Sequence, residues 1–302
     1  MEIELLTYDG AHAGFCDRIV SASFAPKFCG TGNAEYHLAA NSPAAKKILT
    51  EPFLFLRSGE FLSVVIGHTV RDTLGEELAV YGRTLSFFTE KTLVPPVSFS
   101  QKTAGEMVSA VLPKLCGVPF SLDPESADFA RKQDVESEEY QTLSRFLETV
   151  LSPEGGGYEV SFSGGSLSLR LLLSRDTGKD ISVSDGNASS VTRTYDLLDR
   201  ACAGYKKGED GAFSLEGTPD ETPLKNWYTV LSDKALSEYA PNDTLSADLR
   251  RLSFGKDYAL GDIFTVRFEN DAHLVGYKRK IVDVTVDEDK NGYRETPEFA
   301  EI

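Results

Sequence analysis

The sequence is poor in the residues that most often carry chemistry or crosslinks. Its 302 residues include four cysteines, four histidines and one tryptophan. The cysteines are Cys16, Cys29, Cys116 and Cys202, and the histidines are His12, His37, His68 and His273. No C-x-x-C spacing occurs, so we expect buried thiols without disulfides. The histidines are scattered, and none lies in a G-x-S-x-G or H-E-x-x-H setting. We therefore predict that the chain is not an enzyme and uses no cofactor.

Long apolar runs and excess positive charge are also absent. No run approaches the roughly 20 apolar residues that a membrane helix needs. The start, MEIELLTYDG, lacks a basic segment followed by an apolar one, so we expect no signal peptide and no membrane partner. Lysine and arginine number 31 against 47 acidic residues, a net charge of −16. This acidic balance argues against a protein that binds nucleic acid through its phosphates. It is compatible with a protein whose surface must not adhere to DNA.

What the sequence has in quantity is apolar material in strand-like patterns. Hydrophobic residues make up 41% and aromatic residues 10%, enough for packed cores in about two domains. Residues 1–97 alternate mostly as strands, residues 98–179 mix helices with a hairpin, and residues 180–302 return to strands. Residues 208–223 are predicted to be a polar loop, because they are rich in Gly, Asp and Glu.

The last β segment has a faint counterpart early in the chain. Residues 263–268 and 277–286 alternate with period two, and Asn291-Gly292 is a strong tight-turn signal. Residues 52–82 share the layout of residues 262–295: strand, polar turn, strand, polar turn, strand. This echo favours a duplicated β-domain. The basic run Tyr277–Lys280 has two interpretations, a strand face paired with acids or a contact with a partner subunit.

Several helices are predicted from apolar periodicity and capping residues. They are a short helix after Ser42, helices over 103–115 and 137–151, and short helices over 233–239 and 245–252. Ser42 with Pro43 is a good helix start. Ser137 is the expected cap of the second long helix, although Tyr140 stands where a capping box needs Glu or Gln.

One stretch matches the calcium-loop pattern D-x-D-x-N-G-x5-E. Its oxygen ligands would be Asp287, Asp289, Asn291 and Glu298. Three features oppose this: the preceding residues alternate as a strand, Arg294 replaces an apolar anchor, and Pro297 interrupts any exiting helix. A polar β-hairpin is the favoured interpretation, so no metal is assigned.

Several short elements, in this order and spacing, carry a resemblance that spans the whole chain. They are Tyr8-Asp9, Ile19–Ser23, Gly30–Leu38, Val80–Leu85 and Asp257–Asp262. Together they make the chain resemble the siphophage tail baseplate hub family, which includes the N-terminal region of tail-associated lysins. More distantly, the chain is similar to the hub of contractile-phage baseplates and to the base of the type VI secretion spike.

The resemblance implies a fold, an assembly and a set of partners. The fold would be mainly β with an α+β insertion: tail-tube-like β-barrel domains at 1–97 and 180–302, and a small α/β domain at 98–179. Three copies would form a baseplate or tail-tip hub between the tail tube and distal spike, fibre or tape-measure proteins. DNA would pass the lumen without specific binding, in a virion tail assembled in the bacterial cytoplasm.

Two other functions remain open at this point. One is a cell-wall-degrading tail enzyme similar to the longer tail-associated lysins, which the lack of a visible nucleophile or metal motif disfavours. The other is a carbohydrate-binding tail-tip protein, which exposed aromatic clusters would support.

Overall fold

The computed structural model describes residues 2–16, 18–51, 54–71, 77–196, 200–208, 211–218, 227–231, 235–239, 242–270, 273–290 and 292–302. The strands in these ranges are β1 (Ile3–Leu6), β2 (His12–Cys16), β3 (Ile19–Ala25), β4 (Asn33–Ala39), β5 (Phe55–Ser58), β6 (Phe61–Arg71), β7 (Glu77–Thr84), β8 (Leu93–Val94), β9 (Val97–Lys102), β10 (Phe120–Leu122), β11 (Gln133–Ser137), β12 (Gln141–Thr142), β13 (Gly157–Ser163), β14 (Ser166–Leu172), β15 (Arg175–Ile181), β16 (Ala188–Asp196), β17 (Ala203–Lys207), β18 (Phe213–Gly217), β19 (Tyr228–Leu231), β20 (Asn242–Leu249), β21 (Asp262–Asn270), β22 (His273–Asp289) and β23 (Gly292–Ala300). The α-helices are α1 (Pro43–Thr50), α2 (Phe87–Glu90), α3 (Ala104–Val111) and α4 (Leu143–Leu151). Short 3-10 turns span Leu112–Lys114, Ser152–Glu154 and Leu236–Tyr239.

One large sheet holds strands from both ends of the chain, and its two halves repeat the same order. The first half runs β3-β4-β7-β6-β5-β1-β2, and the second runs β16-β20-β23-β22-β21-β15. In each half an antiparallel pair lies beside a three-strand meander, β5–β7 or β21–β23. The halves differ in that β1 is antiparallel to β5 whereas β15 is parallel to β21. The layout predicted from the two similar sequence segments is therefore confirmed.

Strand β22 joins the two halves. It is 17 residues long and pairs with β21 over its first part and with β23 over its last part. Its final residues, 286–289, also pair antiparallel with residues 21–24 of β3. We call this junction the seam. Because β3 would otherwise be an open edge, the seam covers that edge and makes one 13-stranded sheet.

Three hydrophobic cores lie around this sheet. The first half encloses Tyr36 and packs Ile48 of α1 against it. The second half encloses Tyr258 and Phe264. The third core is built from α3, α4, β13 and β14, and it includes Phe55 of the first half. The α+β unit therefore shares its core with the first half, and the mainly β class with an α+β unit is confirmed.

The domain boundaries expected at residues 97/98 and 179/180 remain predictions. Strand β15 spans the second of these positions, and its partner is β21 of the second half.

The helices agree with the sequence where a capping residue precedes a clear apolar stripe. Ser42 caps α1 by accepting the N–H of Ala45. Thr103 and Glu106 form a capping box at α3. The helix predicted over 103–115 is confirmed as α3, Ala104–Val111, followed by the 3-10 turn Leu112–Lys114.

The predicted start of α4 at Ser137 is wrong. Residues 133–137 pair with β9 as β11, and Gln141–Thr142 pair with β8, so the helix begins only at Leu143. Its cap is Thr142, whose hydroxyl accepts the N–H of Arg145.

Two assignments in the last third are also wrong. In place of the helix predicted over 245–252, residues 245–249 belong to strand β20, in which Leu245 and Ala247 alternate into the core with period two. The predicted polar loop over 208–223 contains strand β18, which pairs with β17; residues 209–210 and 219–223 lie outside the described residues. The short helix predicted over 233–239 is a 3-10 turn at Leu236–Tyr239, and Asp233 lies outside the described residues.

The four cysteines form no disulfide, as predicted. Only Cys16 is buried, and Cys116 is exposed, so the expectation of buried thiols is wrong for Cys116. Within the described ranges, no helix is long and apolar enough to cross a membrane.

Candidate functional site

The seam presents a polar surface to which both halves contribute. In the strand register, Asp287 lies opposite both Ser23 and Arg294, and Asp289 lies opposite Ser21. The row continues through Glu35 and His37 of β4, which lie opposite these two serines. We call this surface the seam face; its residues are Ser21, Ser23, Glu35, His37, Asp287, Asp289 and Arg294. They line a cleft of about 550 Å³.

The charge of the seam face is predominantly acidic. His37 uses both ring nitrogens: Nε2 lies 2.9 Å from Glu35 Oε1, and Nδ1 contacts Glu77 of β7. Partial burial of the ring opposes protonation, but the hydrogen bonds and charges of Glu77 and Glu35 outweigh it and raise the pKa of His37. Arg294 is drawn toward β20, where its ion pair lowers the pKa of Asp248.

The calcium-loop candidates are distributed along the β22–β23 pair. Asp287 and Asp289 lie on β22, while Glu298 lies on β23 opposite Asp283. Asn291 lies outside the described residues. In the part of the chain that the structure describes, no group of three or more His, Cys, Asp or Glu side chains is placed to hold a metal ion. The segment forms the antiparallel pair that the favoured interpretation expected, and the expectation that no metal binds there remains a prediction.

The basic run on β22 pairs with acids of this chain. Lys278 Nζ lies 2.7 Å from Asp176, and Arg279 donates to Glu301 at 3.2 Å. The first of the two interpretations of Tyr277–Lys280 is therefore the one the structure supports.

The three parts of the chain meet at Phe28, which is 2% exposed. Its N–H donates to the carbonyl of Val282 and its carbonyl accepts the N–H of Tyr158, both at 2.9 Å. A Cβ built on Gly261 would lie 2.2 Å from the phenyl ring, and one built on Gly157 would lie 2.2 Å from the Phe28 carbonyl oxygen. Glycine is therefore required on both sides of this ring.

An ion pair to a buried carboxylate fixes β15 to the second half. Arg175 donates from Nε and Nη2 to the two carboxylate oxygens of Asp262, each at 2.9 Å. The Asp262 side chain is 4% exposed, whereas that of Arg175 is 70% exposed. The pair is therefore an aspartate held inside the fold by an arginine that lies over it.

A second buried carboxylate belongs to Glu295. It accepts hydrogen bonds from the N–H of Phe254 and the hydroxyls of Tyr258 and Tyr293, at 2.7 to 2.8 Å. Burial, followed by the hydrogen bond to Glu295, raises the pKa of Tyr258 far above its ordinary value. Because the N–H of Phe254 and both tyrosine hydroxyls donate to Glu295 of β23, these hydrogen bonds hold the 253–258 turn against that strand.

Strands β18, β17 and β19 form a separate small sheet with an exposed apolar side. Direct cross-strand pairing places Tyr205 beside Leu215 and Val230. Tyr228 stacks on Tyr205, with ring centroids 6.1 Å apart. We call this surface the aromatic face; its residues are Tyr205 (44% exposed), Phe213 (60%), Leu215 (44%), Tyr228 (46%) and Val230 (66%). Contiguous exposed apolar side chains of this kind mark interaction surfaces.

Sequence interpretation missed the aromatic face although its signal was present. Phe213-x-Leu215 and Tyr228-x-Val230 both alternate with period two. At Phe213 and Leu215, the Gly, Asp and Glu residues within 208–223 outweighed that pattern and favoured a loop.

The whole chain is similar in structure to prophage tail proteins. The 43 kDa tail protein of prophage MuSo2 from Shewanella oneidensis matches with a TM-score of 0.61 and 11% identity, over 100% of this chain and 98% of that chain. The tail protein from Neisseria meningitidis MC58 matches with 0.57 and 14%, over 99% and 96%. The prophage tail protein gp18 from Listeria monocytogenes EGD-e matches with 0.57 and 12%, over 99% and 94%.

These proteins share their fold with this chain but have low sequence identity to it. No protein family model and no curated protein matches the sequence. The chain has the fold of prophage tail proteins, which confirms at the level of fold the resemblance that the sequence suggested.

Proposed function

We propose that this protein is a structural component of a phage or prophage tail, in which three copies form a ring that serves as the baseplate or tail-tip hub. The observation that carries the proposal is the repeated strand order, which gives each chain two similar β units in one sheet. Three chains would contribute six such units. A closed ring of this kind can match a sixfold tube on one side and a threefold spike or fibre on the other.

Two surfaces support an assembled state. The aromatic face is apolar and exposed in the single chain, so we propose that it contacts the neighbouring copy or an adjacent tail protein. The seam face is polar and acidic, so we propose that it faces the lumen, where it repels passing DNA. The role is that of a non-enzymatic virion protein, assembled in the bacterial cytoplasm.

The ring is tested by the mass of the purified protein in solution, measured by light scattering and combined with negative-stain electron microscopy. The expected result is a trimer that appears as a ring with a central hole. The double variant Phe213→Asp, Val230→Asp should shift the mass to a monomer. Tyr140→Asp, a matched change at a side chain that is 60% exposed elsewhere, should leave the trimer intact. A wild-type monomer that stays monomeric after addition of a tail-tube protein would contradict the proposal.

The lumen assignment has its own test. At low salt, a gel-shift assay should show no DNA binding by the wild-type ring. Charge reversal at Asp287 and Asp289 should create binding, whereas reversal at the exposed Glu138 should not. DNA binding by the wild type, or equal binding by both variants, would contradict an acidic lumen at the seam face.

A second function is favoured by one observation. The stacked, exposed rings of Tyr205 and Tyr228 could pack against the apolar faces of sugar rings. A glycan array would show binding that is lost on Phe213→Asp if this alternative were the main role.

A zymogram on bacterial cell walls should show no clearing, and clearing would favour the lytic alternative.

A further inference from the structure

A groove of about 820 Å³ crosses the α+β unit, away from the seam and the aromatic face. One wall is the exposed side of α3, with Gly105, Glu106 and Ser109. The opposite wall is the segment 122–129, which begins at the last residue of β10. The floor is apolar and includes the partly exposed side chain of Phe99 as well as the buried Phe129 and Leu171. A volume of this size accommodates a small ligand or a short peptide.

The walls of the groove are fixed by hydrogen bonds. The N–H groups of Asp123 and Ala127 donate to the carbonyls of Leu169 and Leu171 of β14, both at 2.8 Å. The hydroxyl of Ser126 accepts the N–H of Leu171 at 3.1 Å. On the opposite side the capping box of α3 holds the first turn of the helix. The groove is therefore preformed, which lowers the entropic cost of binding.

The helix side of the groove is unusually open. A Cβ on Gly105 would meet no atom within 4 Å, so packing does not require glycine at this position. Glycine inside a helix costs about 1 kcal/mol relative to alanine. Ser109 lies one turn further along the same wall, so small side chains leave the floor accessible over two turns.

The rim of the groove is acidic. Glu106, Asp123 and Asp128 stand around the apolar floor, and the one lysine among the lining residues is Lys102. Lys102 is already close to Glu106, with Nζ and Oε1 3.4 Å apart. The rim therefore has an excess of negative charge, which attracts lysine or arginine and repels nucleic-acid phosphates.

We propose that this groove binds a short peptide segment of a neighbouring protein, in which apolar side chains that fill the floor are flanked by lysine or arginine. That the neighbour is a tail protein rests on the function proposed above. The apolar side chains supply the buried contacts, and the basic flanks pair with Asp123 and Asp128 at the rim.

The test uses the full chain and two fluorescein-labelled peptides, Lys-Lys-Leu-Phe-Ala-Leu-Lys-Lys and its counterpart with glutamate in place of every lysine. Fluorescence anisotropy should show the basic-flanked peptide binding at least about tenfold more tightly, and more so at low salt. Gly105→Trp, which fills the groove, should weaken that binding by about tenfold or more. Gly105→Ala leaves most of the volume and should retain it.

A charge variant tests the same groove without the bulky side chain that Gly105→Trp introduces. Asp128→Lys should weaken binding of the basic-flanked peptide, and Glu138→Lys, an exposed acid outside the groove, should not. Equal binding of both peptides, or undiminished binding by Gly105→Trp and Asp128→Lys, would overturn the groove proposal. Light scattering on the same samples separates the two ideas: a trimer that fails to bind peptide contradicts only the groove, and a monomer that binds it contradicts only the ring.

Discussion

The imidazole of His37 makes the stability of the fold depend on pH. Its contacts with Glu35 and Glu77 raise the pKa in the folded state above the unfolded value of roughly 6.5. The stabilisation is therefore fully present below pH 6.5 and is lost as the pH rises through the folded pKa. Because the ring is 29% exposed, we expect a loss below about 1 kcal/mol.

Urea unfolding at several pH values, together with an NMR titration of the ring, measures this effect. Glu77→Gln should lower the pKa of His37 and reduce the pH dependence of stability. A His37 pKa that is unchanged by Glu77→Gln would show that the contact with this carboxylate does not control the titration.

The ion pairs of Arg175 and Lys278 should contribute very differently to the free energy of unfolding. Arg175→Ala should destabilise the protein by roughly 1–3 kcal/mol, because it leaves the buried Asp262 carboxylate without its two charge-assisted hydrogen bonds. Lys278→Ala removes an exposed pair with Asp176, which solvent screens, and should have a much smaller effect. Chemical denaturation of the two variants gives the comparison, and equal losses would contradict it.

The start of α4 provides a test among the elements. Thr142→Ala should destabilise the protein by about 1 kcal/mol, because the N–H of Arg145 loses its acceptor at the helix start. Ser137→Ala should change stability by less than about 0.5 kcal/mol, because that hydroxyl only donates to the carbonyl of Glu139 in an exposed turn. If thermal denaturation showed a larger loss for Ser137→Ala than for Thr142→Ala, the helix start predicted at Ser137 would be supported instead.

Elements whose signal is local could be predicted, and those set by distant partners could not. The meander at 262–300 and helix α3 follow from period-two and period-3.6 patterns that their own residues carry. By contrast, residues 133–137 become a strand only because β9 pairs with them. Strand β20 lies between β16 and β23, and that position decides a segment whose local propensity favoured a helix.

For the whole molecule, Phe28 is the contact that should matter most among the three parts. Phe28→Ala should destabilise the protein by roughly 3–5 kcal/mol, because it leaves a cavity where the two halves and the α+β unit meet. Phe15→Ala, at a ring that is 51% exposed, serves as the control and should have a small effect.

A double-mutant cycle sharpens this prediction. Gly261→Ala alone should be strongly destabilising, because its Cβ meets the Phe28 ring and its φ is +85°. In the Phe28→Ala background only the backbone penalty should remain, so the two changes should couple. Additive losses in denaturant unfolding would show that the ring does not require the glycine.

The candidate surfaces depend on tertiary structure in the same way. Each seam-face residue is ordinary in the sequence, and only the β3–β22 pairing brings Ser21 and Ser23 beside Asp287 and Asp289. The groove beside α3 likewise needs the segment 122–129 to lie along β14, which no local pattern indicates. Sequence patterns therefore cannot show that the residues of each surface lie close together in the fold.

The seam also constrains the order in which the chain can fold. Its paired residues lie about 260 positions apart, near the two ends of the chain. The first half is synthesised long before β22, so β3 has an uncovered edge until the last strands are made. Contacts of such long range form late and slowly, and an open edge invites pairing with other chains meanwhile. During biosynthesis the newly made first half is therefore the species most exposed to misassembly, and the arrival of β22 ends that interval.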